Sequence, residues 1–199
     1  SGRAKLDITN HELAVTALAY IIDHQLLYQE LVTAIAHWPN IQVLQHKLIA
    51  YTVHSDNVVL TCHDKLLTTS LLLGADGGNS VVRKLAKIAC HTRPYGQSAL
   101  VAQCVSTRPH NNCAQQFFVH DVAKGLPGGP LALLPMYDQQ HYALVWSMPQ
   151  DVAAELLQLS ELRFCQRLNL ATHHYFPDLG IAAERVVYPL IERHAASYS

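Results

Sequence analysis

Apolar residues change their spacing several times along the chain, and each change marks a different element. The opening Arg3–Ile8 alternates polar and apolar positions, as a half-buried strand does, and the β-branched run LAVTALAYII at 13–22 predicts a second short strand. Asp23 then stands as an N-cap before a stripe of Leu26, Leu27, Leu31, Val32 and Ile35, the core-facing side of an amphipathic helix that ends at Trp38-Pro39-Asn40. From Ile41 the period shortens to two. IQVLQHKLIAYTV, NVVLTCHDKLL and TTSLLLGADG predict a β-ribbon with His63-Asp64-Lys65 at a hairpin tip.

The ribbon leads into the stretch LLLGADGGNSVVRKLAKI, 71–88. Leu71–Leu73 predict a buried strand end, Gly74–Gly78 a sharp turn, and the apolar spacing 81, 82, 85, 88 a helix from Ser80 to Ile88. A glycine turn between a strand and a helix lets a ligand come close to the backbone. Asp76 within it can accept hydrogen bonds from a sugar or polyol hydroxyl. Its charge is the wrong sign for a phosphate.

Beyond this helix the chain predicts a long strand after His91, the strand QQFFVH, a KGLPGGP loop, the strands LALLPM and HYALVWSMP around a YDQQ turn, one helix over 150–170, and a final strand in ERVVYPLIERHA. The fold class is α/β (α+β): a mixed or antiparallel sheet covered by helices, with a smaller helix-and-ribbon region beside it. No internal repeat and no low-complexity segment interrupts it.

Composition narrows the function. The net charge is −1, so nothing in the balance points to nucleic acid, whose binding usually requires a basic face. Charged residues are only 15%, which fits a chain that buries surface against another domain, a partner or a membrane. No apolar run reaches the ~18 residues of a membrane span, and the start SGRAKLDITN is no signal peptide. The five cysteines, without a C-x-x-C pair, predict free thiols in a reducing cytoplasm. The thirteen histidines complete no ligand set, so no metal is expected.

Gly74, Asp76, Gly77, Ser80 and Arg83 match the pattern G-x-D-G-x-x-S-x-x-R, and in this the chain resembles the FAD-dependent aromatic hydroxylases of the p-hydroxybenzoate hydroxylase fold. Tyr95-Gly96-Gln97, Gly129-Pro130-Leu131-Ala132-Leu133-Leu134-Pro135-Met136, Leu144-Val145-Trp146 and Tyr188-Pro189-Leu190 with His194-Ala195-Ala196 resemble the ubiquinone-biosynthesis group among them. The G-x-G-x-x-G turn and the Gly-Asp motif of that family are absent from the sequence, and His24 stands where many relatives have an arginine near the cofactor. The resemblance therefore implies the central fragment of such an enzyme: 1–22 as a strand shared with the substrate domain, 23–90 as part of a Rossmann-like FAD-binding domain, and 91–199 as the substrate domain.

The resemblance further implies FAD as cofactor, NAD(P)H as reductant, and a polyprenyl phenol and O2 as substrates, in a cytoplasmic protein peripheral to the inner face of a membrane and in contact with other ubiquinone-biosynthesis proteins. Gly74, Asp76, Gly77, Ser80, Arg83 and Leu48 would meet the cofactor, with Arg83 holding the turn's shape and attracting the NAD(P)H pyrophosphate. Leu131, Leu133, Pro135, Met136, Leu144 and Trp146 would line the substrate pocket. No general base is identified, and FAD is expected to be absent from the fragment alone. Two other functions fit the same residues: a non-catalytic module binding a quinone, lipid or partner protein, and an FAD-dependent reductase of prenyl lipids.

Overall fold

A computed structural model describes residues 5–121, 126–176 and 178–198. The chain forms two compact units, one of residues 1–37 and 98–188 and the other of 38–97 and 189–199.

In the larger unit, helix α1 (His24–Ala36) opens on Asp23, whose Oδ1 accepts from Gln25 N at 2.8 Å and Leu26 N at 3.1 Å. Asp23 is the N-cap that the sequence predicts. The apolar stripe of α1 behaves otherwise: no residue of the helix is buried. The strands expected over Arg3–Ile8 and 13–22 are absent from residues 5–22, and residues 1–4 lie outside the described residues. Side chains there bond the backbone locally, as Ser, Thr, Asn and Asp do when they compete with strand pairing. Thr9 N donates to Glu12 Oε2 at 2.8 Å, and Asn10 Nδ2 donates to Val15 O at 3.2 Å, across a turn in which Ala14 is left-handed at φ 53°.

The remaining elements, in chain order, are β1 (Leu48–Val53), β2 (Val58–Cys62), β3 (Leu66–Thr69), α2 (Val81–Leu85), β4 (Cys90–Val105), β5 (Gln115–Asp121), β6 (Leu126–Pro135), β7 (His141–Pro149), α3 (Gln150–Gln158), α4 (Glu161–Ala171), β8 (Gly180–Ile181) and β9 (Val186–Ala195). Strands β5-β6-β7-β4-β8 lie side by side in that order, and β9 pairs with β4. Pairs β5/β6, β6/β7 and β4/β8 are antiparallel. The predicted KGLPGGP loop is instead largely strand: Val119 pairs with Gly129 and Asp121 with Leu126, while Lys124 and Gly125 lie outside the described residues. Gly129 is required by the approach of β7, since a Cβ there would fall 2.1 Å from Ser147 O.

The single helix predicted over 150–170 is two. Leu159 and Ser160 turn to ψ 146° and 155°, and Arg185 caps the exposed end of α3 by donating to Leu156 O at 3.1 Å and Leu159 O at 2.6 Å. Both helices bury a face in the core. Ala153 and Leu156 from α3 and Phe164, Leu168 and Ala171 from α4 join Leu100, Leu131, Leu133, Leu144, Trp146 and Met148 of the sheet.

The smaller unit holds the ribbon β1-β2-β3 and α2. The hairpin tip at 63–65 is as predicted, with Cys62 N donating to Lys65 O at 2.9 Å. The outer strands are shorter than the pattern suggests. Leu48 is paired with Cys62 and Thr69 with Val58, the two ends of β2, so residues 41–47 and Leu71–Leu73 have no strand to pair with. Leu71 and Leu73 are consequently 65% and 76% exposed rather than buried.

The contrast between core sheet and unburied helix is measurable. Leu144→Ala should cost about 3 kcal/mol of stability in a urea titration, whereas Leu31→Ala on α1 should change it by less than about 0.5 kcal/mol. Equal losses at both positions would mean that α1 is packed.

Candidate functional site

The Asp-Gly turn joins β3 to α2 and is closed by its own side chains. Asp76 Oδ2 accepts from Val81 N at 2.6 Å and Val82 N at 3.2 Å, and Ser80 Oγ accepts from Arg83 N at 2.9 Å. These are the orphan N–H groups of a helix start, so α2 is capped twice over. Arg83 folds back and donates Nη2 to Gly78 O at 2.8 Å, which locks the turn from its C-terminal side. Gly74 is required by packing, because a Cβ there would lie 3.0 Å from Val82 Cγ1. Gly77 is required by conformation, at φ +79°, and no heavy atom lies within 4 Å of its Cβ position.

Helix α2 is only five residues long, shorter than the predicted 80–88. Lys87 takes the left-handed conformation at φ 55°, with Lys87 N donating to Lys84 O and Ile88 N to Arg83 O. That pair of bonds is a Schellman stop, made here without glycine. Leu48, the remaining expected cofactor contact, is half-buried at the start of β1, opposite Cys62 and next to a bulge.

The pleat of the sheet divides the residues expected to line the substrate pocket. Leu131, Leu133, Leu144 and Trp146 are fully buried, with Leu131 paired to Trp146 and Leu133 to Leu144 on the face that packs into the core with α3 and α4. They are core residues. Successive side chains on a strand face opposite ways, so the alternate positions Val101, Ala132, Leu134, Ala143 and Val145 form the other face and are half-buried. Pro135 and Met136, at the end of β6, are half-buried too. The pleat divides these positions into two faces, but with both faces apolar the sequence does not say which one is buried.

A cavity of about 320 Å³ lies at one end of the sheet, bordered by Arg108, His110, Cys113, Gln115, Tyr142 and Tyr175 among others. None of the expected pocket residues lines it. Its polar groups are largely engaged with one another. Tyr142 Oη donates to Arg108 O at 2.6 Å, Arg108 Nη1 donates to Tyr175 O at 3.3 Å while its Cζ lies 3.8 Å from the Tyr175 ring centroid, and His110 bonds Asp138 O and Asn112 N. Beside it Asp178 accepts from Ser106 Oγ and Thr107 N, and the bond from Ser106 leads in holding its carboxyl down at about 2. This end of the sheet is a structural clamp. All five cysteines are free, and burial pushes the Cys104 thiol up to about 12, which makes it inert.

With this geometry in view, the fold is that of the flavin-dependent monooxygenases. Among solved structures, p-nitrophenol 4-monooxygenase PnpA from Pseudomonas putida superposes with a TM-score of 0.61 at 14% identity, covering 86% of this chain and 43% of that one. The flavin-dependent monooxygenase PieE, solved with FAD and substrate, gives 0.60 at 15% identity over 89% of this chain and 32% of that one. In sequence the chain is similar to ubiquinone-biosynthesis hydroxylases, the group whose motifs it resembles. The zebrafish (Danio rerio) ubiquinone biosynthesis monooxygenase COQ6, mitochondrial, is 43% identical over 114 residues, 57% of this chain and 22% of the relative. The 3-demethoxyubiquinol 3-hydroxylase of Escherichia coli is 33% identical over 138 residues, 67% of this chain and 32% of the relative. The chain thus spans less than a third of the length of these two relatives. No protein-family model matches it.

The capping role of Asp76 has a pH signature. Its carboxyl lies below the usual 3.8, through the Ser80 side chain first and the Val81 and Val82 N–H groups after it. A carboxyl depressed by folding stabilises the fold above its unfolded pKa, and that contribution is lost as pH falls through the folded value. The melting temperature of Asp76→Ala should therefore lie below that of the parent by a constant margin from neutrality to about pH 5 and converge on it under more acidic conditions. A margin independent of pH down to 3 would remove the carboxylate from the cap.

Proposed function

We propose that this chain is the central part of an FAD- and NAD(P)H-dependent monooxygenase that hydroxylates the aromatic ring of a polyprenyl phenol in ubiquinone biosynthesis. The observation that carries the reading is the self-capped Asp-Gly turn, on a chain whose relatives are ubiquinone-biosynthesis monooxygenases and hydroxylases.

The residues fit a flavin nucleotide. Gly77 is open, so a ligand can touch backbone there, and Asp76 is ionised and able to accept a hydroxyl hydrogen bond. Gly74, Asp76, Gly77 and Ser80 would form this wall of the cofactor site, Arg83 would hold its shape, and the Leu48 backbone would border the nucleotide. FAD, when bound, supplies the oxygen activation and the redox chemistry. The protein's part is to hold the ring and keep water away.

For the substrate, the half-buried face bearing Val101, Ala132, Leu134, Ala143 and Val145 replaces the core leucines, with Pro135 and Met136 at its edge. Its side chains are almost wholly apolar, which suits a polyprenyl phenol with much hydrophobic area and few polar handles. Among the described residues no helix is long and apolar enough to cross a membrane. Contact with a membrane would be peripheral, and the cytoplasmic placement is part of this proposal.

The test is a chimera in which the chain replaces the matching stretch of the E. coli 3-demethoxyubiquinol 3-hydroxylase. The chimera should retain bound flavin and hydroxylate the relative's substrate, and Asp76→Ala should reduce flavin content and NAD(P)H oxidation by about tenfold, the cost of one charged hydrogen bond. A folded chimera with flavin but no oxygen transfer would favour the prenyl-lipid reductase. One without flavin would favour the non-catalytic module.

A further inference from the structure

The open face of the large sheet carries a residue that its apolar neighbours do not explain. Along β4, Leu100, Ala102 and Cys104 are buried, so Val101, Gln103 and Val105 share the other face. Gln103 is half-buried between two valines, in a place where strands favour β-branched residues. Its main chain is fixed, because Gln103 O accepts from Ala182 N at 2.8 Å and the next residue, Cys104, pairs with Ile181 of β8.

The side chain is fixed as well. Gln103 Nε2 donates to Asp23 Oδ2 at 3.3 Å, so the N-cap of α1 reaches this face. Asp23 Oδ1 is taken by Gln25 N and Leu26 N, which leaves Oδ2 for the glutamine. A carboxylate only accepts, and it therefore dictates which end of the amide turns toward it. The NH2 group faces Asp23, and no group among the described residues engages the carbonyl Oε1. Strand β4 thus presents one directed acceptor in an apolar setting.

We propose that Gln103 Oε1 accepts the hydrogen bond of a phenolic hydroxyl, with Asp23 as the positioning residue that keeps the amide turned that way. The face then selects a ring bearing a free hydroxyl over the same ring as a quinone or a methyl ether, neither of which has a hydrogen to give. A ring of the wrong kind would leave the acceptor unpaired, and that penalty is the source of the discrimination. A ring anchored at its hydroxyl against two valines is also restricted in which edge it turns outward. The hydroxyl keeps its proton, since a neutral amide binds and orients without acid–base work. This assignment rests on the substrate face proposed above and adds the residue that reads the ring.

The chain can be titrated with an ortho-prenylphenol, its methyl ether and the corresponding prenylbenzoquinone, following the Gln103 side-chain amide and the backbone amides of Val101, Ala132 and Val145 by NMR. The phenol should bind about fivefold more tightly than the ether or the quinone. In Gln103→Leu, which keeps the face apolar and the backbone pairing intact, phenol and ether should bind alike. Asp23→Asn is the sharper variant. Asparagine still caps α1 through its oxygen, but its NH2 then stands in the place of Oδ2, so the Gln103 amide turns over and offers N–H to the face. The phenol preference should be lost in that variant, and the quinone should gain about fivefold. Equal affinity for phenol and ether in the parent, shifts centred off this face, or a phenol preference that survives Gln103→Leu would overturn the acceptor. The same preference in Asp23→Asn as in the parent would overturn the role of Asp23. No flavin takes part in this measurement, so an inactive chimera leaves it standing, and its failure leaves the chimera's activity untouched.

Discussion

A pleated strand has two faces, and the sheet of the larger unit commits one of them entirely to helices. Leu131, Leu133, Leu144, Trp146 and Met148 fill the space beneath α3 and α4, and their burial is the main hydrophobic term holding the unit together. A ligand lying across the open face of this sheet would meet the alternate positions. Chemistry and stability are separated by one residue along each strand.

Polar contacts play the corresponding part in the smaller unit. Helix α2, at five residues, is far too short to form by itself, because a first turn fixes several backbone angles for one hydrogen bond. Asp76 and Ser80 at one end and the Schellman turn at Lys87 at the other take up backbone groups that so short a helix leaves orphaned. The turn is therefore specified by its polar side chains more than by its apolar ones, and Val81 and Val82 contribute their N–H groups as much as their methyls.

Periodicity and caps made much of this legible beforehand. The Asp23 cap, the hairpin at 63–65 and strands β4, β7 and β9 follow directly from the residue pattern. The failures share one physical cause: an apolar run shows that a segment can be buried, not that a partner is at hand. Residues 13–22, the α1 stripe and Leu71–Leu73 are largely hydrophobic, yet none of them lies in a strand ladder or is fully buried. The pocket residues raise a different question. The run LALLPM is apolar at nearly every position, so hydrophobicity could not say which leucines face the core.

The bonds that close the Asp-Gly turn have one more consequence, which concerns entropy. With Asp76, Ser80 and Arg83 satisfied inside the turn, the loop is ordered before any ligand arrives. Loops that become ordered only in a complex give up conformational freedom at that moment, and their affinity is lowered accordingly. Here that loss belongs to folding. A molecule docking at Gly77 would encounter a rigid edge, and the strength of its binding would reflect the contacts it makes there.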